Sequence, residues 1–121
     1  MQPDDGITTR AQELGRLIGQ SDEYKALKRA RERMAEDREA TTAANRIAEL
    51  EQQVGSILQR GEQPGDEIRE EYERVATTLQ ASPVYQGLVA AQSNLEKMLG
   101  KVDEQIARGM EAGAQSRIIL S

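Results

Sequence analysis

Apolar residues recur every three or four positions along most of the chain, and this spacing predicts an all-α protein. The first stripe can be capped at Asp4 or Asp5 and can end at Gly19. Its members are Ile7, Ala11, Leu14 and Ile18. The second helix begins at Ser21, a good N-cap, followed by two acidic residues that the helix dipole favours. Its apolar members are Tyr24, Leu27, Ala30 and Met34.

The middle of the chain has the spacing of coiled-coil packing positions. The apolar residues with this spacing are Ala40, Ala43, Ile47, Leu50, Val54 and Ile57. Gly61 and the Pro64-Gly65 pair are expected to end this segment. Asp37 could cap a separate helix or lie inside a continuous one. The pattern therefore leaves open whether residues 22–60 form one bent helix or two.

A short helix and a long one complete the pattern. Asp66 can cap the short helix, and Ser82-Pro83 is a favoured start for the long one. The apolar stripe of the short helix is Ile68, Tyr72, Val75 and Leu79. The seam of the long helix is Tyr85, Leu88, Gln92, Leu95, Leu99, Val102 and Ile106, with one polar member. The fold expected is an antiparallel helical bundle or hairpin of about four to five helices, two of them long.

The expected organisation is a flexible N-terminus over residues 1–6, a helical domain over 7–108, and a tail over 109–121. Gly109 and Gly113 weaken a helix by up to about 1 kcal/mol each, which favours fraying of the tail. The alternative is that its apolar tip, 118–120, docks on a partner or a second subunit.

Two helix starts share the pattern S-x-x-Y-x-x-L, at residues 21–27 and 82–88. The simpler interpretation is that good helix starts resemble one another, with serine as the cap in both. The alternative is that two similar helical units are related by approximate symmetry.

The composition favours self-association. Hydrophobic residues make up 37% of the 121 residues, and Phe and Trp are absent. A small domain with so few large apolar side chains has a thin core, so we expect a homodimer. The residues expected to build the self-association seam, or to divide between seam and core, are Leu50, Val54, Ile57, Leu88, Leu95, Leu99 and Val102.

Charge and residue types narrow the chemistry. The net charge of −5 disfavours general phosphate-backbone binding. Cysteine and histidine are both absent, which excludes disulfides, thiolate metal sites and histidine-based catalysis. We therefore expect no catalytic residues, no metal and no cofactor. The polar, acidic N-terminus does not resemble a signal peptide, and no apolar run approaches the ~20 residues of a membrane span, so the predicted location is the cytoplasm.

One segment, 25–38, is locally basic. It can be a solvated helix face with pairs such as Arg33 with Asp37, or a docking patch for an acidic protein or RNA. RNA is the weaker option because aromatic stacking residues are nearly absent. The patch residues are Lys25, Lys28, Arg29, Arg31 and Arg33. An opposite patch, able to steer like chains together, consists of Asp66, Glu67, Glu70, Glu71 and Glu73.

The order of these features resembles the YlbF/YmcA/YheA family of small bacterial helical proteins over roughly residues 7–108. The stretches that carry the resemblance are 11–18 (AQELGRLI), 21–28 (SDEYKALK), 37–40 (DREA), 82–85 (SPVY) and the 88–106 seam. The resemblance implies an all-helical fold and a tendency to dimerise or form mixed complexes. With its length and plain tail, the chain looks more like the YheA branch, whose role is poorly defined.

Some members of that family are implicated in competence, biofilm formation and sporulation, as parts of a complex that adjusts RNA processing. One has a cysteine-rich tail linked to iron–sulfur binding, which cannot carry over to a chain without cysteine. The function predicted is a non-catalytic interaction or regulatory protein. Its expected partners are itself, another family member or RNA-processing proteins. The alternatives are an RNA-binding accessory protein using segment 25–38, and a structural subunit of a larger assembly.

Overall fold

The computed structural model describes the backbone of residues 5–120 and the side chains of residues 6–115. The backbone forms five helices: α1 (Asp5–Gly19), α2 (Asp22–Glu36), α3 (Arg38–Gln59), α4 (Asp66–Gln80) and α5 (Pro83–Leu120). No strand occurs in this range, and the two long helices have 22 and 38 residues. The prediction of an all-α fold with about four to five helices, two of them long, is confirmed.

Two predictions about the ends concern residues beyond this description. Residues 1–4 of the predicted flexible N-terminus lie outside it, as do the side chains of Ile118, Ile119 and Leu120. The backbone of α5 continues to Leu120, past the end near residue 108 that the apolar spacing indicated. Whether the tail frays or docks on a partner stays a prediction.

Residues 22–60 form two helices, joined by the single residue Asp37. Its extended backbone ends α2, and its carboxylate accepts a hydrogen bond from the Ala40 amide at 2.8 Å, which caps α3. Across the same junction, the Thr41 hydroxyl donates to the Met34 carbonyl at 2.8 Å. The change of direction is therefore fixed by hydrogen bonds on both sides.

The two S-x-x-Y-x-x-L starts form the same serine cap. The Tyr24 amide donates to the Ser21 hydroxyl at 3.1 Å, and the Tyr85 amide donates to the Ser82 hydroxyl at 3.3 Å. Each bond satisfies one of the free amides at a helix start. The predicted caps are confirmed, while a symmetry relation between two units stays a prediction.

Helices α3 and α4 form an antiparallel hairpin. The turn depends on Gly61, whose φ of 77° lies in the left-handed region that favours glycine. The Glu62 amide donates back to the Ile57 carbonyl at 3.1 Å and closes the end of α3. Ala40 and Ala43 pack with Leu79 in the core of the hairpin. The partly buried residues around this core are Met34, Ala44, Ile47, Val75 and Tyr85.

The described chain divides into two compact units. One contains the residues up to Leu27 and those from Ala91 onward, and the other is Lys28–Ala90. Leu27 and Ala91, which belong to the first unit, have buried side chains, and Leu50 of the second unit has no exposed surface. All seven buried side chains among the described residues are apolar, and four of them are alanines. The thin core expected from the composition is what these units contain.

Candidate interaction surfaces

The seven residues predicted for self-association differ widely in exposure. Leu50 is fully buried and is a core residue of its own unit. Leu99 is 38% exposed, and the other five are half-buried. A half-buried apolar residue can pack inside the chain and still present an edge to a partner. Self-association through these residues stays a prediction, with Leu50 assigned to the core.

The covered face of α5 shares Leu95 and Val102 with the predicted seam, whereas Gln92, Leu99 and Ile106 of that seam are exposed. Ala91 is 7% exposed, whereas the neighbouring Gln92 is exposed. The most covered positions of α5 continue from Ala91 through Leu95, Met98 and Val102, at alternating steps of four and three. Gln92 is therefore not part of the face that packs within the chain, and a role of the seam in self-association stays a prediction. Because α5 has apolar residues on two adjacent faces, the spacing alone could not show which face packs inward.

The second apolar face of α5 remains in solvent. Leu99 is 38%, Ile106 49% and Met110 69% exposed, and the exposed Asp103 lies between the first two along the helix. We call Leu99, Asp103, Ile106 and Met110 the α5 stripe. Every side chain from residue 103 to 115 is exposed. This part of α5 is a helix with little cover from its own unit.

Helix α1 is also sparsely covered. Its Leu14 lines a shallow groove of about 450 Å³ with residues of α5. The α5 residues in this groove are Met98, Lys101, Val102, Gln105 and Ile106. In contrast, Ile7 is 72% and Leu17 65% exposed, with the exposed Arg10 between them. We call Ile7, Arg10 and Leu17 the α1 edge.

The predicted basic patch lies on α2 and is fully in solvent, since all five of its cations are exposed. Among the residues with described side chains, none of these five forms an ion pair. The predicted pair of Arg33 with Asp37 is wrong, because the Asp37 carboxylate caps α3 instead. Acidic residues, including Glu32 and Glu36, share the exposed surface of this helix. The patch is therefore of mixed charge.

The acidic patch on α4 is partly neutralised within the hairpin. Arg46 donates two hydrogen bonds of 2.6 Å to the two carboxylate oxygens of Glu71, and a third of 3.0 Å to Glu49. The first two bonds hold the pKa of Glu71 below its usual value, and both carboxylates raise the pKa of Arg46. Asp66 pairs with Arg69. The sequence did not reveal the Arg46–Glu71 pair, because its members are 25 positions apart.

A second apolar depression lies where α3 and α4 meet the connecting loop. Val54, Pro64, Ile68 and Tyr72 are among the residues that line its volume of about 350 Å³. The Tyr72 hydroxyl donates to the Glu51 carboxylate at 3.3 Å on its rim. This depression is small and open, and it is a property of the hairpin alone.

Two other site types have no counterpart among the residues that the structure describes. Within that part of the chain, no three or more Asp or Glu side chains are grouped as a metal ion would require. No helix in the same part combines the length and apolar character that crossing a membrane requires.

Known proteins of similar sequence give the chain a family. The model of the family described as "Control of competence regulator ComK, YlbF/YmcA" matches residues 7–111. A UPF0342 protein of Oenococcus oeni is 28% identical over 97 residues, which are 80% of this chain and 85% of that protein. A UPF0342 protein of Streptococcus mutans serotype c is 27% identical over 96 residues, or 79% of this chain and 85% of that protein.

The family match covers all five helices in whole or in part, and with them both exposed apolar surfaces of α1 and α5. Placement in the YheA branch stays a prediction. The resemblance seen in the sequence is confirmed at the level of the family: this chain belongs to the YlbF/YmcA family of competence regulators.

Proposed function

We propose that this protein is a non-catalytic regulator that acts by binding other proteins, and that it self-associates as a homodimer. The regulatory role is supported by the description of its family. The binding role is supported by the surfaces of α1 and α5, where apolar side chains lie in solvent.

The exposure of these side chains is the observation that carries the proposal. Ile7, Leu17 and Met110 are each about two-thirds exposed or more, and all three belong to the same compact unit. Single exposed apolar residues are common on soluble proteins, but rows of them on uncovered helices indicate a binding surface. Burial of such a row against another polypeptide would remove its apolar area from water.

The process regulated is proposed from the family. We place the chain among proteins that control competence, biofilm formation and sporulation through effects on RNA processing. Its partners would be a second copy, another family member or RNA-processing proteins in the bacterial cytoplasm. These partners would bind helix to helix, with the patches on α2 and α4 influencing which partner is chosen.

RNA binding through segment 25–38 is the weaker alternative. A phosphate backbone requires a surface of predominantly positive charge, and α2 exposes glutamates among its cations. Charge reversal of Lys28, Arg29 and Arg31 provides the test. A salt-sensitive RNA complex that this variant abolishes would replace the protein-binding proposal, whereas no complex at low salt would dismiss the alternative.

Sedimentation equilibrium over a dilution series tests self-association. We expect a reversible monomer–dimer equilibrium, and a folded monomer that persists at the highest concentrations would refute the homodimer. Affinity purification from the native host, compared with a Met110→Asp variant, tests partner binding. Partners that the wild type retains and the variant loses would support the proposal, and retention of the same partners by both would refute binding through α5.

A further inference from the structure

We propose that the α1 edge of one chain docks on the α5 stripe of a second copy, and that two such contacts, related by a two-fold axis, form the dimer. This inference rests on the proposed self-association and specifies which surfaces meet. It therefore identifies the partner segment of each surface.

Both surfaces belong to helices that lack cover within their own unit. In α1, most side chains are exposed, and Leu14 and Ile18 are only half-buried. Isolated helices shorter than about 12–15 residues are marginal in water, so a helix of 15 residues with this little packing gains stability from a partner. The same reasoning applies to residues 103–115 of α5, where no described side chain is covered.

Three of the four residues of the α5 stripe lie away from the groove that α5 lines with Leu14 of the same chain. Successive helical residues are rotated by about 100°, so Asp103 points roughly 160° away from Lys101, on the far side of the helix. Lys101, Met98 and Ile106 line the groove with Leu14, so Ile106 borders both surfaces, whereas Leu99, Asp103 and Met110 do not line it. Leu99, Asp103 and Met110 are therefore accessible to a helix from another molecule.

Charge selects the pairing of α1 with α5. The α1 edge has a cation, Arg10, between two apolar residues, and the α5 stripe has an anion, Asp103, among three. Among the residues with described side chains, neither charge forms an ion pair. Two α5 stripes facing each other would bring two aspartates together, and two α1 edges would bring two arginines together. Only the mixed pairing places unlike charges in contact, and like charges across an interface disfavour the alternatives.

Symmetry then accounts for a closed dimer. Because every chain has both surfaces, α1 of the first copy can meet α5 of the second while α1 of the second meets α5 of the first. Such a reciprocal arrangement has two identical contacts and leaves neither surface uncovered. Each contact uses few side chains, so the dimer is expected to be weak, with dissociation in the micromolar range.

A charge exchange tests the pairing directly. Arg10→Asp or Asp103→Arg alone should weaken dimerisation about 3- to 10-fold, because each replaces an attraction across a solvent-exposed contact by a repulsion. The double variant Arg10→Asp/Asp103→Arg should recover the wild-type dissociation constant to within about twofold, because the attraction is restored with its sign exchanged. Sedimentation equilibrium gives the constants, and circular dichroism verifies that each variant is folded.

A matched pair of apolar substitutions tests the location. Met110→Asp places a charge in the proposed contact and should weaken dimerisation more than about 10-fold. Leu58→Asp introduces the same charge at a leucine of α3 that is 52% exposed, in the other unit, and should leave dimerisation unchanged.

The outcomes separate this inference from the proposed function. If the wild type dimerises but neither Met110→Asp nor the single charge reversals weaken the dimer, the α1–α5 contact is refuted while self-association is not. A double variant that dimerises no better than the single ones would also overturn it. A wild type that remains monomeric at all concentrations would refute self-association itself, and the contact with it.

Discussion

Leu50 offers the sharpest test of how this chain is held together. Its side chain has no exposed surface, although α3 as a whole lies largely in solvent. Replacement by alanine removes roughly three methylene equivalents, worth about 0.8 kcal/mol each in transfer from water. The cavity left behind adds a further cost, because the surrounding helices relax only partly. We expect Leu50→Ala to lower the free energy of unfolding by about 3–4 kcal/mol, within the range for buried leucines.

Leu58 is the matched control for this substitution. It lies in the same helix, two turns later, and is 52% exposed. Leu58→Ala removes the same atoms, but about half of them are already in water, and alanine is the better helix former. We expect its cost to be below about 1 kcal/mol. Both substitutions replace a leucine of α3 by alanine, so a difference between their effects on the free energy of unfolding reports the difference in burial.

Urea unfolding followed by far-ultraviolet circular dichroism is the appropriate assay, because the chain has no Trp for fluorescence. Each variant should be measured at two protein concentrations, since dimerisation stabilises the folded state by mass action. Equal losses in Leu50→Ala and Leu58→Ala would refute the reasoning. A loss below about 1.5 kcal/mol for Leu50→Ala would show that this site collapses without a cavity.

Three further substitutions test local features of the hairpin. Asp37→Ala removes the α3 cap and should cost about 1 kcal/mol in urea unfolding, whereas Asp37→Asn, which can still accept the amide bond, should cost less. Gly61→Ala places an alanine at a left-handed φ and should lower the free energy of unfolding by about 1–2 kcal/mol. Gly55→Ala, inside α3 where a Cβ would have open space, should instead raise it by about 0.5–1 kcal/mol. Equal effects of the two substitutions would contradict the role of Gly61 in the turn. The pKa of Glu71 is lowered in the folded state, so the ionised carboxylate stabilises the fold fully at pH values above its ordinary pKa of 4.5. This stabilisation is lost as the pH falls through the lowered pKa. The stability difference between wild type and Glu71→Gln should therefore shrink in acid, and a difference independent of pH would contradict the pairing with Arg46.

The sequence predicted the helices because their signals are local. The serine caps at 21 and 82 and the glycine at 61 act within one turn of the chain, so the residue types alone indicate the helix ends. Asp37 had the same signal, but a capping residue also fits inside a continuous helix, and only the backbone decided between the two.

What the sequence could not give depends on long-range packing. Apolar residues occupy two adjacent faces of α5. Which of them packs inward, the face with Ala91 or the face with Gln92, depends on which helices lie against α5. The pairing of Arg46 with Glu71 depends on the antiparallel alignment of α3 and α4. The continuation of α5 beyond residue 108 reflects the small cost of its glycines beside several alanines, which propagate a helix well.

The one-residue junction between α2 and α3 has a consequence for how the chain tolerates changes in length. Inserting or deleting a residue at Asp37 would rotate α2 by about 100° about its axis and shift it by about 1.5 Å. Ala30 and Met34, which lie in the same unit as α3, would turn toward water, and charged side chains would turn inward in their place. The connection between α3 and α4 has six residues outside the helices, so it can absorb the same insertion. Length variation among homologues should therefore concentrate at residues 60–65 and be absent at position 37.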